Sequence, residues 1–377
     1  TGSGVFIVSS TSQIEGGRIA ALPNPTNFAG QVTIERYVHG KTGGDYRYLS
    51  MPVTTNANVG VWRNSIFVTG NFSDRSTNAD NANINNSGNT NPSVYTYNAA
   101  TQAYVGVSGG GGLTTATAVS SRVGYSAYNF NNGPVVISYR GVPERGSVPI
   151  TISNIATRFN LVPNPYPSPI DWDNVTKTNV TDAMYLRIDN NVFSSYVGGI
   201  TTNPPFVGWT GEVAVGQAFF VVSSGSGSTF TLTESSKTNN AFYFLREQSP
   251  RDYFRIRLQA ANDAQDEVVI RFAEGATDQF DNEYDAPKMW MKDDLFPFNG
   301  ANPYVNIATY VSSADEAYAI NTVGLLKGAK IVNLIVSDIA HGKSTFSFSE
   351  LDKLTQNYNV VLVDNYLLKE YDVSEGF

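Results

Sequence analysis

Apolar and polar side chains alternate along this chain with a period of two, and this pattern constrains its fold more than any other feature. The stretch 254–259 reads Phe-Arg-Ile-Arg-Leu-Gln, and 268–272 repeats the alternation. Successive side chains of a β-strand point to opposite faces of the sheet, so each stretch fits a strand with one buried face. Such stretches recur at short intervals between turn residues. The chain is therefore predicted to be all-β, with sheets stacked as in a sandwich or jelly roll.

The remaining predicted strands are rich in Val, Ile, Thr, Tyr and Phe and are bounded by Gly, Pro, Asn or Ser. They cover 32–38, 46–51, 93–97, 122–130, 134–139, 148–152, 158–162, 183–188, 217–222, 229–233, 331–336 and 359–363. Very little helix is expected. One short helix is predicted within 349–356, where Ser-Glu-Leu-Asp resembles a capping box.

Composition fits a sheet protein and excludes several function classes. Hydrophobic residues make up 41% of the 377 and charged residues only 15%, against about 25% charged in ordinary soluble domains. The formal charge is −8 and no stretch concentrates Lys and Arg, so nucleic acid is not an expected partner. No apolar run approaches the length of about 18 residues that a membrane span needs. Cysteine is absent, which leaves export from the cell open.

Two segments of the chain resemble each other. An aromatic strand, an Asn-rich turn and a second aromatic strand occur at 94–104 and again at 184–196. The strings Arg-Val-Gly-Tyr-Ser-Ala-Tyr at 122–128 and Ala-Val-Gly-Gln-Ala-Phe-Phe at 214–220 follow at a nearly constant offset. These matches predict tandem β-sandwich units that are related by duplication.

Four regions follow from the repeat and from a rise in charge density near residue 248. Residues 1–29 are predicted to be a β segment that continues from an upstream region, and 30–150 and 151–247 to be the two sandwich units. Residues 248–377 are predicted to be a jelly-roll-like module that is incomplete at its end. Its last residues read as a strand, a turn and the start of a return strand.

No constellation for catalysis emerges, and the chain is predicted not to be an enzyme. The two histidines, His39 and His341, lie in turn-like contexts in different modules and lack a metal-ligand pattern around them. The glycine run 109–112 is not followed by the Lys-Ser/Thr pair that a phosphate-binding loop requires.

Carboxylates form the one dense polar cluster. Asp278, Asp281, Glu283 and Asp285 fall within eight residues of a stretch without periodicity. Calcium takes six to eight oxygen ligands, so a structural Ca²⁺ site is one interpretation. A solvated acidic turn and a glycosidase acid pair are the others. No other cofactor is predicted.

The four tryptophans are the candidates for ligand contact. Trp62, Trp172, Trp209 and Trp290 all lie near predicted turns. An exposed indole there would stack on a sugar ring and form a glycan platform, whereas a covered one would close the end of a β core. Both interpretations stay open at this point.

Several strings resemble large secreted surface proteins of Bacteroidota that are exported by type IX secretion. They are Val-Thr-Ile-Glu-Arg-Tyr-Val at 32–38, Asn-Pro-Tyr-Pro-Ser-Pro-Ile-Asp-Trp at 164–172, Val-Gly-Gln-Ala-Phe-Phe-Val at 215–221 and the acidic segment 266–288. The resemblance implies a structural or adhesive element on the outer surface of a Gram-negative bacterium. It also implies a place upstream of a C-terminal sorting domain, with no catalytic residues. A carbohydrate-binding region of a secreted polysaccharide-degrading enzyme is the alternative.

The expected partners follow from this interpretation. They are flanking domains of the same polypeptide, the type IX secretion and outer-membrane attachment machinery, and a glycan in the alternative function. A second copy of the chain is a further candidate, because the unfinished hairpin at 371–377 is predicted to leave an unpaired edge strand, and such an edge invites strand addition. Prolines 163, 165, 167 and 169 remove backbone donors, so this string is predicted to be a stiff connector that braces the second sandwich unit against the first.

Overall fold

The chain divides into two compact units in a computed structural model. The first unit comprises 1–190 and 211–244, and the second unit comprises 191–210 and 245–377. The structure describes residues 6–12, 16–84, 90–189, 192–205, 208–238, 252–291, 304–311 and 316–373.

Strands dominate both units, and the prediction of an all-β sandwich protein with very little helix is confirmed. In chain order the strands are β1 (Ile7–Val8), β2 (Val32–Val38), β3 (Asp45–Leu49), β4 (Val94–Asn98), β5 (Ala103–Gly106), β6 (Tyr125–Asn129), β7 (Val135–Gly141), β8 (Val148–Thr151), β9 (Arg158–Pro163), β10 (Ile170–Asp171), β11 (Thr176–Thr178), β12 (Val180–Asp189), β13 (Val192–Val197), β14 (Ile200–Thr201), β15 (Glu212–Val213), β16 (Ala218–Ser223), β17 (Thr229–Leu232), β18 (Tyr253–Gln259), β19 (Gln265–Ala273), β20 (Ala286–Pro287), β21 (Asn306–Val311), β22 (Glu316–Gly324), β23 (Asn333–Ser337), β24 (Thr345–Ser349), β25 (Val361–Asp364) and β26 (Lys369–Asp372).

Within the described residues, two α-helices interrupt the strands. The helix predicted within 349–356 is present as the single turn α2 (Asp352–Thr355). Helix α1 (Val59–Ile66) was not predicted, although Val59, Trp62 and Ile66 lie on one buried face at spacings of three and four residues. This spacing is the signature of an amphipathic helix. The short length and the glycine at position 60 hid the pattern.

The two halves of the first unit share one order of strand pairing. In the first half, β2 pairs with β7, while β6 pairs with both β3 and β4. In the second half, β8 pairs with β17, while β16 pairs with both β9 and β12. All six pairings are antiparallel. This is the arrangement that a duplicated unit would have, and the duplication itself stays a prediction.

The glycines of the repeated Val-Gly strings lie where the two halves meet. A side chain at Gly124 would stand 2.9 Å from the carbonyl oxygen of Leu161 in β9. Gly216 adopts a φ of 70° and accepts a hydrogen bond from the backbone N–H of Ser50 at 2.9 Å. Glycine is favoured at both positions, because the first requires close backbone approach and the second a left-handed conformation.

The proline-rich string lies inside the first unit. Pro163 ends β9, which in the described part of the chain is an edge strand that pairs with β16. Proline has no backbone N–H donor, and an edge position tolerates this. Residues 164–168 are buried and irregular. The backbone of the string receives a hydrogen bond from the N–H of Ile19 to Pro167 at 2.7 Å.

One mixed sheet forms the body of the second unit. Its strand order is β23-β21-β22-β19-β18-β24, with β20 paired to β22. The central pair β19 and β22 is parallel, and the other pairings are antiparallel. Apolar residues of β18 and β19, among them Ile256, Leu258 and Val268, form its core.

The hairpin of β25 and β26 follows this sheet. Leu362 packs against the core of the second unit, whereas Val361 and Val363 are 42% and 51% exposed. The connecting turn exposes Tyr366 and Leu368 almost completely. The predicted start of a return strand falls on residues 374–377, which lie outside the described part of the chain.

Candidate functional site

Two of the four clustered carboxylates meet in the second unit. Asp285 is fully buried, and its two oxygens accept hydrogen bonds from the backbone N–H groups of Thr322 at 2.7 Å and Asp281 at 2.8 Å. Asp281 in turn accepts a hydrogen bond from the N–H of Thr277 at 2.6 Å. These bonds tie the acidic loop to β22. The side chains of Asp281 and Asp285 thus accept hydrogen bonds from backbone N–H groups of the loop and of β22.

The other two carboxylates point elsewhere. Asp278 forms an ion pair with Lys330, and Glu283 is exposed. Within the described residues, no group of three or more His, Cys, Asp or Glu side chains is placed to hold a metal ion. The structural calcium site therefore stays a prediction from the sequence.

Burial changes the pKa of the Asp285 carboxyl. Desolvation raises the pKa of this carboxyl to about 7, although the N–H groups of Thr322 and Asp281 act in the opposite direction. A buried carboxyl that titrates near neutrality makes the second unit sensitive to pH.

Two of the four tryptophans belong to the core of the first unit. Trp62 is fully buried, makes an edge contact with Tyr125 at 5.0 Å between ring centroids and donates to the Tyr139 hydroxyl at 3.4 Å. Trp172 is also fully buried and donates to the carbonyl of Asp182 at 2.7 Å. A covered indole has no face free for a sugar ring, so both side chains close a β core.

The other two tryptophans lie in the second unit. Trp209 is only 3% exposed and packs against Tyr196 at 5.4 Å between centroids. Trp290 is half-buried, and it alone of the four keeps part of its surface in contact with solvent. Trp62 and Trp172 thus lie in the first unit, and Trp209 and Trp290 lie in the second.

An aromatic-lined pocket opens in the second unit where no site was predicted. We call it the aromatic pocket; its volume is about 420 Å³, and its rings are those of Tyr253, Phe254, Phe272 and Tyr358. Phe254 and Phe272 stack, with centroids 6.4 Å apart and planes inclined by 21°. The rings come from β18, β19 and the segment after α2, so no local sequence pattern marks them.

The rest of the lining divides into an aliphatic wall and a polar rim. The wall is formed by Leu325, Leu326 and Leu354. The rim carries two carboxylates and two amides, those of Asp252, Glu350, Gln356 and Asn357. The arrangement combines ring faces with hydrogen-bonding groups in a cleft of the size that small ligands occupy.

A family comparison covers nearly the whole chain. The model of a domain of unknown function, DUF8693, matches residues 19–376. The chain belongs to this family. A search of the curated proteins finds no match, and a search of the solved structures finds none either.

The match takes in the candidate sites but not β1, which precedes residue 19. All lining residues of the aromatic pocket, the acidic loop and the proline-rich string fall within the DUF8693 domain. Among its described residues, no helix has both the length and the apolar character needed to cross a membrane.

A second pocket in this unit shares Leu325 and Leu326 with the aromatic pocket but differs from it in chemistry. Its volume is about 620 Å³, and it is lined by residues 273–276, Asp278 and 324–330. Glu274, Asp278, Lys327 and Lys330 supply its charges. It contains no aromatic ring, so it is a natural comparison for the aromatic pocket.

Proposed function

We propose that this chain is a non-catalytic structural and adhesive element of a large bacterial surface protein, where it presents or links other domains. The proposal places it outside the cell, with flanking domains of the same polypeptide as partners. Export and attachment by type IX secretion in a member of the Bacteroidota rest on the sequence resemblance at 32–38, 164–172, 215–221 and 266–288.

The observation that carries the proposal is a buried polar brace in the first unit. Asn164 is fully buried, and its side-chain amide lies within hydrogen-bond distance of the carbonyl oxygens of Ser168 at 2.9 Å, Val213 at 3.1 Å and Ala214 at 3.0 Å. The main-chain carbonyl oxygen of Asn164 accepts a hydrogen bond from the Ser50 hydroxyl at 2.6 Å. One side chain and its backbone thus join segments from both halves of the unit.

A second brace lies near the end of the same unit. Glu234 accepts hydrogen bonds from the backbone N–H groups of Leu22 at 2.8 Å and Gly146 at 2.7 Å, and it pairs with Lys237 at 2.7 Å. Satisfied polar networks in a low-dielectric interior make one arrangement strongly preferred. Such cross-links suit a part that must keep its shape under load.

The hairpin of β25 and β26 supports the adhesive side of the proposal. The terminal strand β26, which was predicted to lack a partner, pairs with β25. Within the described residues these two strands form a sheet of their own, to which a strand of another chain can be added. A second copy of this chain is therefore among the proposed partners. Charged side chains of β26, including Lys369 and Glu370, would limit this pairing to suitable partners.

Surface labelling of intact cells tests the proposed location. An antibody raised against the purified chain should label cells of the source organism without permeabilisation, and added protease should remove the signal. Labelling that requires permeabilised cells would contradict an extracellular role.

Force measurement tests the proposed structural role. The chain, pulled between its ends by atomic force microscopy, should unfold in discrete steps, with the largest force assigned to the first unit. Gradual extension without a force peak would contradict a load-bearing element.

A carbohydrate-binding region is the second candidate function. The burial of Trp62, Trp172 and Trp209 removes the surfaces on which the sequence interpretation relied. The aromatic pocket supplies a different surface for the same chemistry.

A further inference from the structure

We propose that the aromatic pocket of the second unit binds a neutral saccharide. This inference goes beyond the structural role of the chain and does not depend on it. It rests on residues of the second unit, whereas the braces lie in the first unit.

Ring faces provide the first argument. Tyr253, Phe272 and Tyr358 are each half-buried, so each ring contacts both the protein and the open volume of the pocket. Phe254 is only 7% exposed and supports Phe272 from within the core. Pyranose rings present flat patches of C–H groups, which pack on aromatic faces in the way that other apolar surfaces do.

Polar groups at the rim provide the second argument. The side-chain amides of Gln356 and Asn357 are exposed, and neither makes a hydrogen bond with any residue in the described part of the chain. The carboxylates of Asp252 and Glu350 lie at the same rim. A sugar hydroxyl can both donate and accept a hydrogen bond. Carboxylates accept such bonds, and a side-chain amide can both donate and accept them, so both kinds of group suit a sugar.

The walls of the pocket are fixed before any ligand arrives. The Tyr358 hydroxyl donates to the carbonyl of Leu326 at 3.2 Å, which links the segment after α2 to the loop that follows β22. Arg255 pairs with Glu350 at 2.9 Å, and the N–H of Phe272 donates to the carbonyl of Asp252 at 2.8 Å. Preorganised walls lower the entropy lost on binding.

The charge at the rim selects among saccharides. Asp252 and Glu350 both place a carboxylate at the rim, and Glu350 also pairs with Arg255 at 2.9 Å. An anionic sugar such as a uronic acid would meet a carboxylate, and like charges at close range repel. The pocket therefore favours neutral hexoses and pentoses over acidic ones.

Saturation-transfer NMR and calorimetry on the full 377-residue chain test the proposal. The probes are cellohexaose, xylohexaose, mannohexaose and laminarihexaose, with oligogalacturonate as the anionic comparison. Saturable binding of at least one neutral probe is expected, with weaker or no binding of oligogalacturonate. Absence of saturable binding for every neutral probe up to about 10 mM, a limit that still detects very weak complexes, would overturn the proposal.

Variants at two exposed rim positions and at one half-buried ring locate the site. The double variant Gln356→Ala with Asn357→Ala, and separately Tyr358→Ala, should each weaken binding about tenfold or more, which corresponds to about 1.4 kcal/mol. Lys327→Ala is the matched control and should leave affinity unchanged, because Lys327 lines the charged pocket and not the aromatic pocket. Circular dichroism checks that each variant is folded.

Two outcomes would contradict saccharide binding at the aromatic pocket. Unchanged affinity in both rim variants, or preferred binding of oligogalacturonate, would overturn the assignment. If Tyr358→Ala unfolds the second unit, the rim double variant decides the question, because both of its residues are exposed.

Discussion

Replacing Asn164 by alanine tests the buried brace of the first unit most directly. The amide makes three contacts with carbonyl oxygens through two N–H bonds, and its side-chain oxygen accepts the N–H of Tyr166 at 3.0 Å. Asn164→Ala therefore removes about three hydrogen bonds and leaves their partners buried without replacement. Each such loss costs about 1–3 kcal/mol, so three losses sum to about 3–9 kcal/mol, and we expect the free energy of unfolding to decrease by at least about 3 kcal/mol. Whole domains are stable by only about 5–15 kcal/mol.

Hydrogen exchange with mass spectrometry, combined with urea unfolding, measures this decrease. Peptides that cover β9 and the proline-rich string should lose protection in Asn164→Ala. Asn24→Ala is the matched control, because Asn24 is exposed and its side chain caps no helix. Surface changes of this kind usually stay within about 0.5 kcal/mol. A loss below about 1 kcal/mol in Asn164→Ala, with unchanged protection of β9, would refute the brace.

Asn164→Asp separates hydrogen bonding from cavity formation. Aspartate keeps the size of the side chain and the acceptor for Tyr166, but an ionised carboxylate would face three carbonyl oxygens. Burial and these acceptors should raise the pKa of the new carboxyl above its usual value, so the variant should lose stability as pH rises. Stability of Asn164→Asp that increases with pH would contradict this reasoning.

Three further predictions concern the second unit. Burial raises the pKa of Asp285 to about 7 from 3.8. The contribution of this carboxyl to the free energy of unfolding is therefore complete below about pH 4 and is lost as pH rises through 7. Urea unfolding at a series of pH values should show this decrease, and Asp285→Asn should abolish it. If the acidic loop binds calcium, about 1 mM calcium should raise the melting temperature relative to chelator, because a ligand that binds only the folded state stabilises it; an unchanged melting temperature would rule out the site. Leu368 has a φ of 52° and is 87% exposed, so Leu368→Gly should stabilise the hairpin by about 0.5–1 kcal/mol, and reduced protection of its amides in hydrogen exchange would show that the turn is not strained.

The strands could be predicted because their signal is local. Residues 32–38 alternate in polarity, and the structure places β2 at Val32–Val38. Helix α1 was missed because eight residues with an internal glycine present only two helical turns. Packing of Trp62 against Tyr125 and Tyr139 stabilises it, and such contacts between distant segments leave no local pattern.

The functional residues were harder to predict for the same reason. The acidic loop was recognised from its density of carboxylates, but whether each faces a cation or a backbone N–H depends on where β22 lies. Tryptophan content likewise indicates large aromatic surfaces without indicating which are covered. The aromatic pocket draws on segments more than 100 residues apart, from Asp252 to Tyr358. Only the fold brings these segments together.

The second unit places its acidic side chains where they hold backbone and basic groups together. Glu267 is 2% exposed and accepts hydrogen bonds from Arg255 at 2.7 Å, from Arg257 at 2.9 Å and from the N–H of Asn203 at 3.0 Å. Asp266 pairs with Lys288 and accepts the N–H of Ile307 at 2.8 Å. The position of a carboxylate that is buried with such partners is fixed, because removing one partner would leave a buried charge without compensation. Glu350 pairs with the same Arg255 at 2.9 Å, but it also lines the aromatic pocket together with Asp252, so these two carboxylates lie where a ligand can reach them.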